Sequence, residues 1–513
     1  MDPIDIEKQR VHETSTYVSS SSSSEDSIAG TPTPDFTGFF GSLRYYEQVL
    51  DRKFGVESQG PARVLPEERT KPNQLIMFCV WASGTMNLSC FATGFLGFDF
   101  GLSLRQNILV IIFATVLGAM VTGWCATMGP ETGLRQVSIS RYSLGWWPSK
   151  IIALLNVVEQ LGWSSVGCIT GGLALNAVSN GNVSLIVGVV IIAVAGLVFS
   201  FIGLRGVFVY EQFAWMVFLV IFLVIYGETA RFADNLTPSS LSGATLSGTV
   251  LTLFAIIYGS SASWCSIVSD YYVQYPVDTN KWTIFLLTTA GITIPTCVGM
   301  LAGACVGSTF GINQQWADAE NEGLGWLIQY ILYPNGFAKF ILVLLVLSGI
   351  GANCIAMYSA ALSVQQFARP LALVPRFIWT LFIFGGILAL GIAGKNQLLV
   401  YLEDFLSLLG YWNTAFFVIV FTEHYLFRSG SIANYDLTAW NTPEKMPVGY
   451  AGLLAFLLGI VGCILGMQST WYTGVIAKMI GDYGGDIGNE LAFAFTLISF
   501  PPLRYLERKY TGR

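Results

Sequence analysis

Residues 154–167 read LLNVVEQLGWSSVG, which sets a carboxylate, two carboxamides, two hydroxyls and an indole inside an otherwise apolar run. At 100° per residue, Asn156, Gln160, Trp163 and Gly167 fall on one stripe of a helix, with Glu159 and Ser164 at its edge; Leu154, Val158, Leu161 and Ile169 point elsewhere. Such a stripe is expected to face a cavity, where an ionisable group marks a solute pathway or a proton relay. Bond-breaking chemistry is not expected. Histidine occurs only at 12 and 424, no HExxH-like metal motif is present, and no nucleophile stands beside a base. We therefore expect neither an enzyme, nor a cofactor, nor a metal site.

The surroundings of the stripe are set by composition. Hydrophobic residues make up 53% of the 513 and charged residues 11%, and the mean hydropathy is +0.59. This is the balance of an all-α membrane protein. The net charge of −6 lies mostly in tails and loops, and no basic patch points to nucleic acid. The nine cysteines all fall in apolar segments without CxxC pairs, so they are read as small core residues. Residues 1–70, with the run SSSSSS at 19–24, are too polar to fold alone and are expected to be a disordered cytoplasmic tail.

From there the chain alternates polar connections with twelve apolar runs of about 20 residues, the length that crosses a bilayer. They lie near 75–97, 107–129, 150–178, 183–203, 207–228, 248–272, 284–307, 337–363, 372–393, 397–421, 450–468 and 487–503. A transmembrane domain over 71–503 and a short C-terminal tail over 504–513 follow. Alternating loops differ in basic content: one set holds Arg135, Arg141, Lys150, Arg205, Lys281 and others, while the opposite set holds only Arg105, Arg231, Lys395 and Lys478. That bias predicts cytoplasmic termini.

Two runs look interrupted. The first contains WASGTMNLSC (81–90) and the sixth YGSSASWCS (258–266), each rich in Gly, Ser and other small residues midway across. Paired interruptions five helices apart point to a transporter built from inverted five-helix repeats, because unwound backbone survives at that depth only where it lines a cavity. Further carboxylates in apolar runs are Glu211 in the fifth and Glu403 and Asp404 in the tenth.

Several stretches carry a specific resemblance: GPETGLRQVSISRYSLG (129–145), EQLGWSSVG (159–167), SASWCSIVSDYYVQYP (261–276), ANCIAMYSAALSVQ (352–365) and WYTGVIAKMIGDYGGDIGNELAFAF (471–495). Over residues 70–510 the chain resembles fungal purine-cytosine permeases of the nucleobase cation symporter family. The resemblance implies a LeuT-type fold, a 5+5 inverted repeat plus two helices, and proton-coupled uptake of a nucleobase across the plasma membrane. It implies that Trp163 and Trp264 sandwich the flat ring, that Ser89 hydrogen-bonds it, and that Glu211 takes part in transport. By position, Glu159 is the alternative proton site.

The chain also departs from that pattern. Relatives commonly carry an asparagine where Gly167 stands, and an Asn-rich NNxPN-like stretch where this chain keeps Asn353 but has Ile355 and Ala356. Losing amides that read a ring's donors and acceptors alters specificity strongly. Gln160, Asn156, Ser164 or Asn353 are the candidate replacements, and a pyridine of the vitamin B6 type is the alternative substrate. The partners expected are thus a small heterocycle, a coupling proton and the lipid bilayer. A heterocycle sensor that moves nothing is the rival class, disfavoured by short cytoplasmic loops.

Overall fold

The computed structural model describes residues 62–513 apart from 203, together with residue 43, and leaves out the side chains of 201–211 and 369. The rest of the expected N-terminal tail lies outside the described residues. Helices stand on each of the apolar runs. The first is split into α1a (Ile76–Thr85) and α1b (Leu88–Thr93); then come α2 (Leu104–Ala126), α3 (Ser149–Val178), α4 (Leu185–Ile202), α5 (Leu204–Thr229) and α6 (Gly243–Ala262). These are followed by α7 (Lys281–Gly307), α8 (Asn335–Phe367), α9 (Arg376–Gly394), α10 (Leu398–Thr422), α11 (Tyr450–Gly466) and α12 (Gly488–Thr511). Among the described residues eight helices are long and apolar enough to cross a membrane, or nine if the bent first pair is one span.

Both interruptions have local causes. At the first, Asn87 takes an extended backbone (φ −141°, ψ 178°) and its side chain accepts from the Cys90 amide, so a new helix is capped where α1a ends. The two pieces meet at 60°. At the second, α6 stops at Ala262 and continues as 3-10 turns over Ser263–Ser266 and Val268–Tyr271. Ser260, Ser263 and Ser266 donate their hydroxyls to the carbonyls of Ile257, Ser260 and Ser263, partnering backbone that unwinding would leave bare.

Packing sorts the helices into two sets. In one, α2 packs along both α6 and α7, and α7 along α1a; in the other, α3 packs along α8, with α4 and α9 completing the group. Small residues allow the closest crossings. A side chain on Gly303 of α7 would collide with the Phe91 carbonyl and the Gly94 backbone, so α1b and α7 touch main chain to main chain.

At both ends of the expected transmembrane domain the chain continues into packed structure. Arg69 is buried and donates to the carbonyls of Pro130 and Tyr275, so 62–70 pack onto the bundle. At the other end α12 runs on to Thr511, because Arg504 is buried in an ion network and not free in a tail. Residues 63, 132 and 145 cluster with 449 and 513 at one end of the bundle, called here the terminal face.

The connector between α11 and α12 threads back against α6 and α10. Within it Asp486 accepts from the Tyr411 hydroxyl, the Gln468 amide (3.1 Å) and the Gly488 amide (2.8 Å). Burial outweighs those donors and pushes this carboxyl up to about 7. A raised acid favours the proton-bound fold, so its contribution is full below the ordinary value near 4 and is lost as pH rises through about 7. Melting is expected to be lower at pH 8 than at pH 5 by an amount that Asp486→Asn removes; an unchanged pH dependence in that variant would refute the assignment.

Candidate functional site

Both interruptions open onto one cavity of about 70 Å³. From the first helix it is lined by Trp81, Asn87 and Ser89, from α3 by Gln160, Trp163, Gly167 and Thr170, and from the α6 break by Ser260 and Trp264. Thr296 and Met300 of α7 and Ser348, Gly349, Ala352, Ile355 and Ala356 of α8 close the walls. Of the expected substrate residues, Ser89, Gln160, Trp163, Gly167, Trp264 and Ala356 are thus brought together.

The two indoles face each other across this cavity. Trp163 and Trp264 are stacked, with centroids 5.7 Å apart and planes inclined by 13°. Carbon atoms pack at about 3.5 Å, so a flat ring held between two others needs about 7 Å. The slot is therefore closed on itself, and a ring must part the indoles by more than 1 Å to enter. Edge-on neighbours brace it: Trp81 lies 5.3 Å from Trp264, and Phe405 5.6 Å from Trp163.

Polar groups around the slot are arranged for donors and acceptors still to come. Among the lining residues, Gln160 Oε1 and Trp163 Nε1 are buried without partners, an arrangement that is costly unless a ligand or water completes it. Gln160 Nε2 donates to Asn156 Oδ1 (3.2 Å), and Asn156 Nδ2 donates to Ser363 Oγ (2.7 Å). Asn156 therefore backs Gln160 from beneath the cavity. The Ser89 proton is committed to Asn87 Oδ1 at 2.6 Å, so this hydroxyl meets a ligand only as an acceptor.

Two expected residues stand outside the wall. Asn353 is fully buried, donates to Cys168 Sγ (3.1 Å) and tucks its amide oxygen behind Gly167; a Cβ at 167 would come within 2.9 Å of that oxygen. The missing side chain of Gly167 thus makes room for an amide of α8, not for a ligand. Glu159, also fully buried, turns away from the cavity and accepts from Asn413 Nδ2 of α10 at 3.0 Å. The side chain of Glu211 lies outside the described residues. Asn413, Trp81 and the α7 wall were not identified from the sequence; polarity in an apolar run was the only available signal for Asn413.

Towards the terminal face the cavity is shut. Trp81 Nε1 donates to the Tyr272 hydroxyl (2.8 Å), which bonds Thr288 Oγ1 (2.6 Å), and beyond that layer Arg135 stands 3.9 Å from Asp270. Glu403 is half-buried near the opposite end of α10, and Asp404 accepts from the Thr470 amide at 3.0 Å. The described residues hold no cluster of ligands suited to a metal ion, and all nine cysteines are free.

Known proteins resemble the chain in both sequence and fold. The chain is 34% identical to a purine-cytosine permease of Emericella nidulans over 496 residues, covering 96% of this chain and 97% of the relative. It is 31% identical to a vitamin B6 transporter of Saccharomyces cerevisiae, covering 90% and 89%. Among solved structures, the inward-facing form of the transporter Mhp1 superposes with a TM-score of 0.66 at 16% identity, over 88% of this chain and 94% of that one. A sodium-coupled sialic acid symporter gives 0.61 at 10% identity, over 92% and 98%. Since residues 64–487 match the family profile described as permease for cytosine/purines, uracil, thiamine and allantoin, the chain belongs to that family of membrane transporters.

Proposed function

We propose that this permease imports a small planar heterocycle with a proton, by alternating access across the plasma membrane. The observation that carries the reading is the facing pair Trp163 and Trp264, one on a continuous helix and one at a helix break. A ring between two indoles gains stacking on both faces and loses little freedom. In this reading the twelve helices are twelve crossings, α1–α5 and α6–α10 are the inverted repeats, and the terminal face is cytoplasmic. The closed layer at Trp81 and Tyr272 then makes this an arrangement reached from outside. Rocking of the α1, α2, α6 and α7 set against the α3, α4, α8 and α9 set would move access to the cytoplasm.

Cytosine or a purine is the first substrate choice. Pyridoxine is the second, favoured by one observation: the cavity wall has Gly167 and Ala356 where amides are common in the purine-cytosine permeases this chain resembles. Uptake of radiolabelled cytosine, adenine, hypoxanthine, allantoin, uracil and pyridoxine in a permease-null yeast decides among them. Binding without uptake would favour a sensor.

For the proton, Glu159 and Glu211 are the two candidates. Substrate-driven proton influx is expected to disappear in Glu159→Gln or in Glu211→Gln while substrate exchange persists. Intact coupling in both variants would sink the proton assignment.

A further inference from the structure

Glu159 lies on one of the two elements that carry the indole slot. Trp163 lies one helical turn beyond Glu159 on α3, and Trp264 directly precedes Cys265 in the 3-10 turn after α6. Between them stands Asn413 of α10. Its Nδ2 donates to Glu159 Oε2 (3.0 Å) and to the Leu409 carbonyl (3.0 Å), and its Oδ1 accepts from the Cys265 thiol (3.3 Å). Only a carboxamide donates and accepts at once in this way. The second oxygen of Glu159, Oε1, is buried with no partner. The titratable groups facing this node are the Cys265 thiol from the α6 break and, behind it, Cys125 of α2; neither is a cation.

We propose that Glu159, Asn413 and Cys265 form a proton-operated clasp on the Trp163–Trp264 slot; this rests on the transport reading above. With Glu159 charged, its hydrogen bond from Asn413 is charge-assisted, about twice as strong as a neutral one. Asn413 then keeps its oxygen for the Cys265 thiol. The contact of Asn413 Oδ1 with the Cys265 thiol and the slot closed at 5.7 Å are the geometry this state requires.

Protonation changes the pairing. A proton arriving from the aqueous side on Oε1 gives that oxygen an O–H, and a neutral carboxyl and a carboxamide pair as a ring: Oε2 accepts from Nδ2, and Oε1 donates to Oδ1. Closing that ring swings Oδ1 towards Glu159, and the thiol, a weak donor at 3.3 Å, is the contact left behind. The turn carrying Trp264 is released from α10, and the indoles can part. The proton therefore binds first and the heterocycle second, and α10 reports the proton state of α3 to the α6 break. Asn413 is a positioning residue in this scheme: it hydrogen-bonds the carboxyl that holds the proton and acts on the slot only through Cys265.

The test is equilibrium binding of a tritiated heterocycle to the full chain in lipid nanodiscs between pH 5.5 and 8, using whichever of cytosine, adenine, hypoxanthine, allantoin, uracil and pyridoxine the wild type takes up. Wild-type affinity is expected to weaken about tenfold for each pH unit above the titration of Glu159. Glu159→Gln and Asn413→Leu should flatten that dependence to within twofold. Cys265→Ala, which cuts only the link to the slot, should bind at pH 8 as tightly as the wild type does at pH 5.5. Should Asn413→Leu fail to fold, Cys265→Ala alone decides. Variants that bind with the wild-type pH profile overturn the clasp and leave the transport reading intact; a wild type that takes up none of the six heterocycles removes both.

Discussion

Replacing Trp264 by alanine is expected to reduce uptake about 100-fold at subsaturating substrate, the loss of one stacking face worth about 2–3 kcal/mol. The residue contributes at three contacts. It stacks on Trp163 in the empty slot, it lies edge-on to Trp81 at 5.3 Å, and it would cover one face of a bound ring. Trp264→Phe keeps a face and should stay within about tenfold of the wild type, because a smaller ring loses area but not the stacking geometry. Trp81→Ala should behave differently. It removes the hydrogen bond to Tyr272 and hence part of the closure towards the terminal face, with a smaller effect on apparent affinity. Since Trp264 is only partly buried, the protein level and melting temperature of Trp264→Ala should match the wild type. Uptake of Trp264→Ala within threefold of the wild type, at equal protein level, would mean that the ring binds elsewhere.

Some of this site is legible from local pattern. The helical angle placed Gln160, Trp163 and Gly167 on one stripe, and all three line the cavity. The small-residue runs at 81–90 and 258–266 mark the two breaks, since helix-breaking groups inside an apolar run need a cavity beside them. What a single-sequence pattern cannot supply is the partner across space. Asn413 and Glu159 are 254 positions apart; each alone reads as a polar residue in a membrane helix, and nothing in either spacing says that one caps the other. Cys265 reads as a small core residue, and only its distance to Asn413 gives it a second role. Asn353 shows the reverse. Its kind and position matched a binding amide, yet the glycine opposite lets it sink behind the cavity wall. The same limit applies at the chain's end: basic residues after two prolines look like a tail until Glu423, 81 residues earlier, is seen to face Arg504.

Arg504→Ala is expected to be among the most destabilising single changes in the chain. The guanidinium forks onto Glu423, Nε to Oε2 at 2.9 Å and Nη2 to Oε1 at 3.2 Å, and its Nη1 bonds Glu507 Oε2 at 2.8 Å. Glu507 Oε1 in turn accepts from the amides of Gly449 (2.6 Å) and Tyr450 (2.9 Å), which open α11, while Arg428 reaches Glu423 at 3.0 Å. One buried cation therefore ties the end of α10, the start of α11 and the last turns of α12. The Arg504 and Glu423 side chains are each 1% exposed, so truncating the arginine strands two carboxylates that water cannot reach. Breaking such a set costs about 3–5 kcal/mol. The alanine variant should lose most of its monodisperse peak in detergent and fail to reach the cell surface. Arg504→Lys should rescue it only in part, since an ammonium cannot fork onto a carboxylate. The double change Glu423→Leu with Arg504→Leu should recover part of the loss, because it removes one of the two stranded carboxylates and leaves Glu507 with the Gly449 and Tyr450 amides as donors. If Arg504→Ala melts with the wild type, the cluster is solvated in the membrane-bound protein and α12 is held by apolar packing alone.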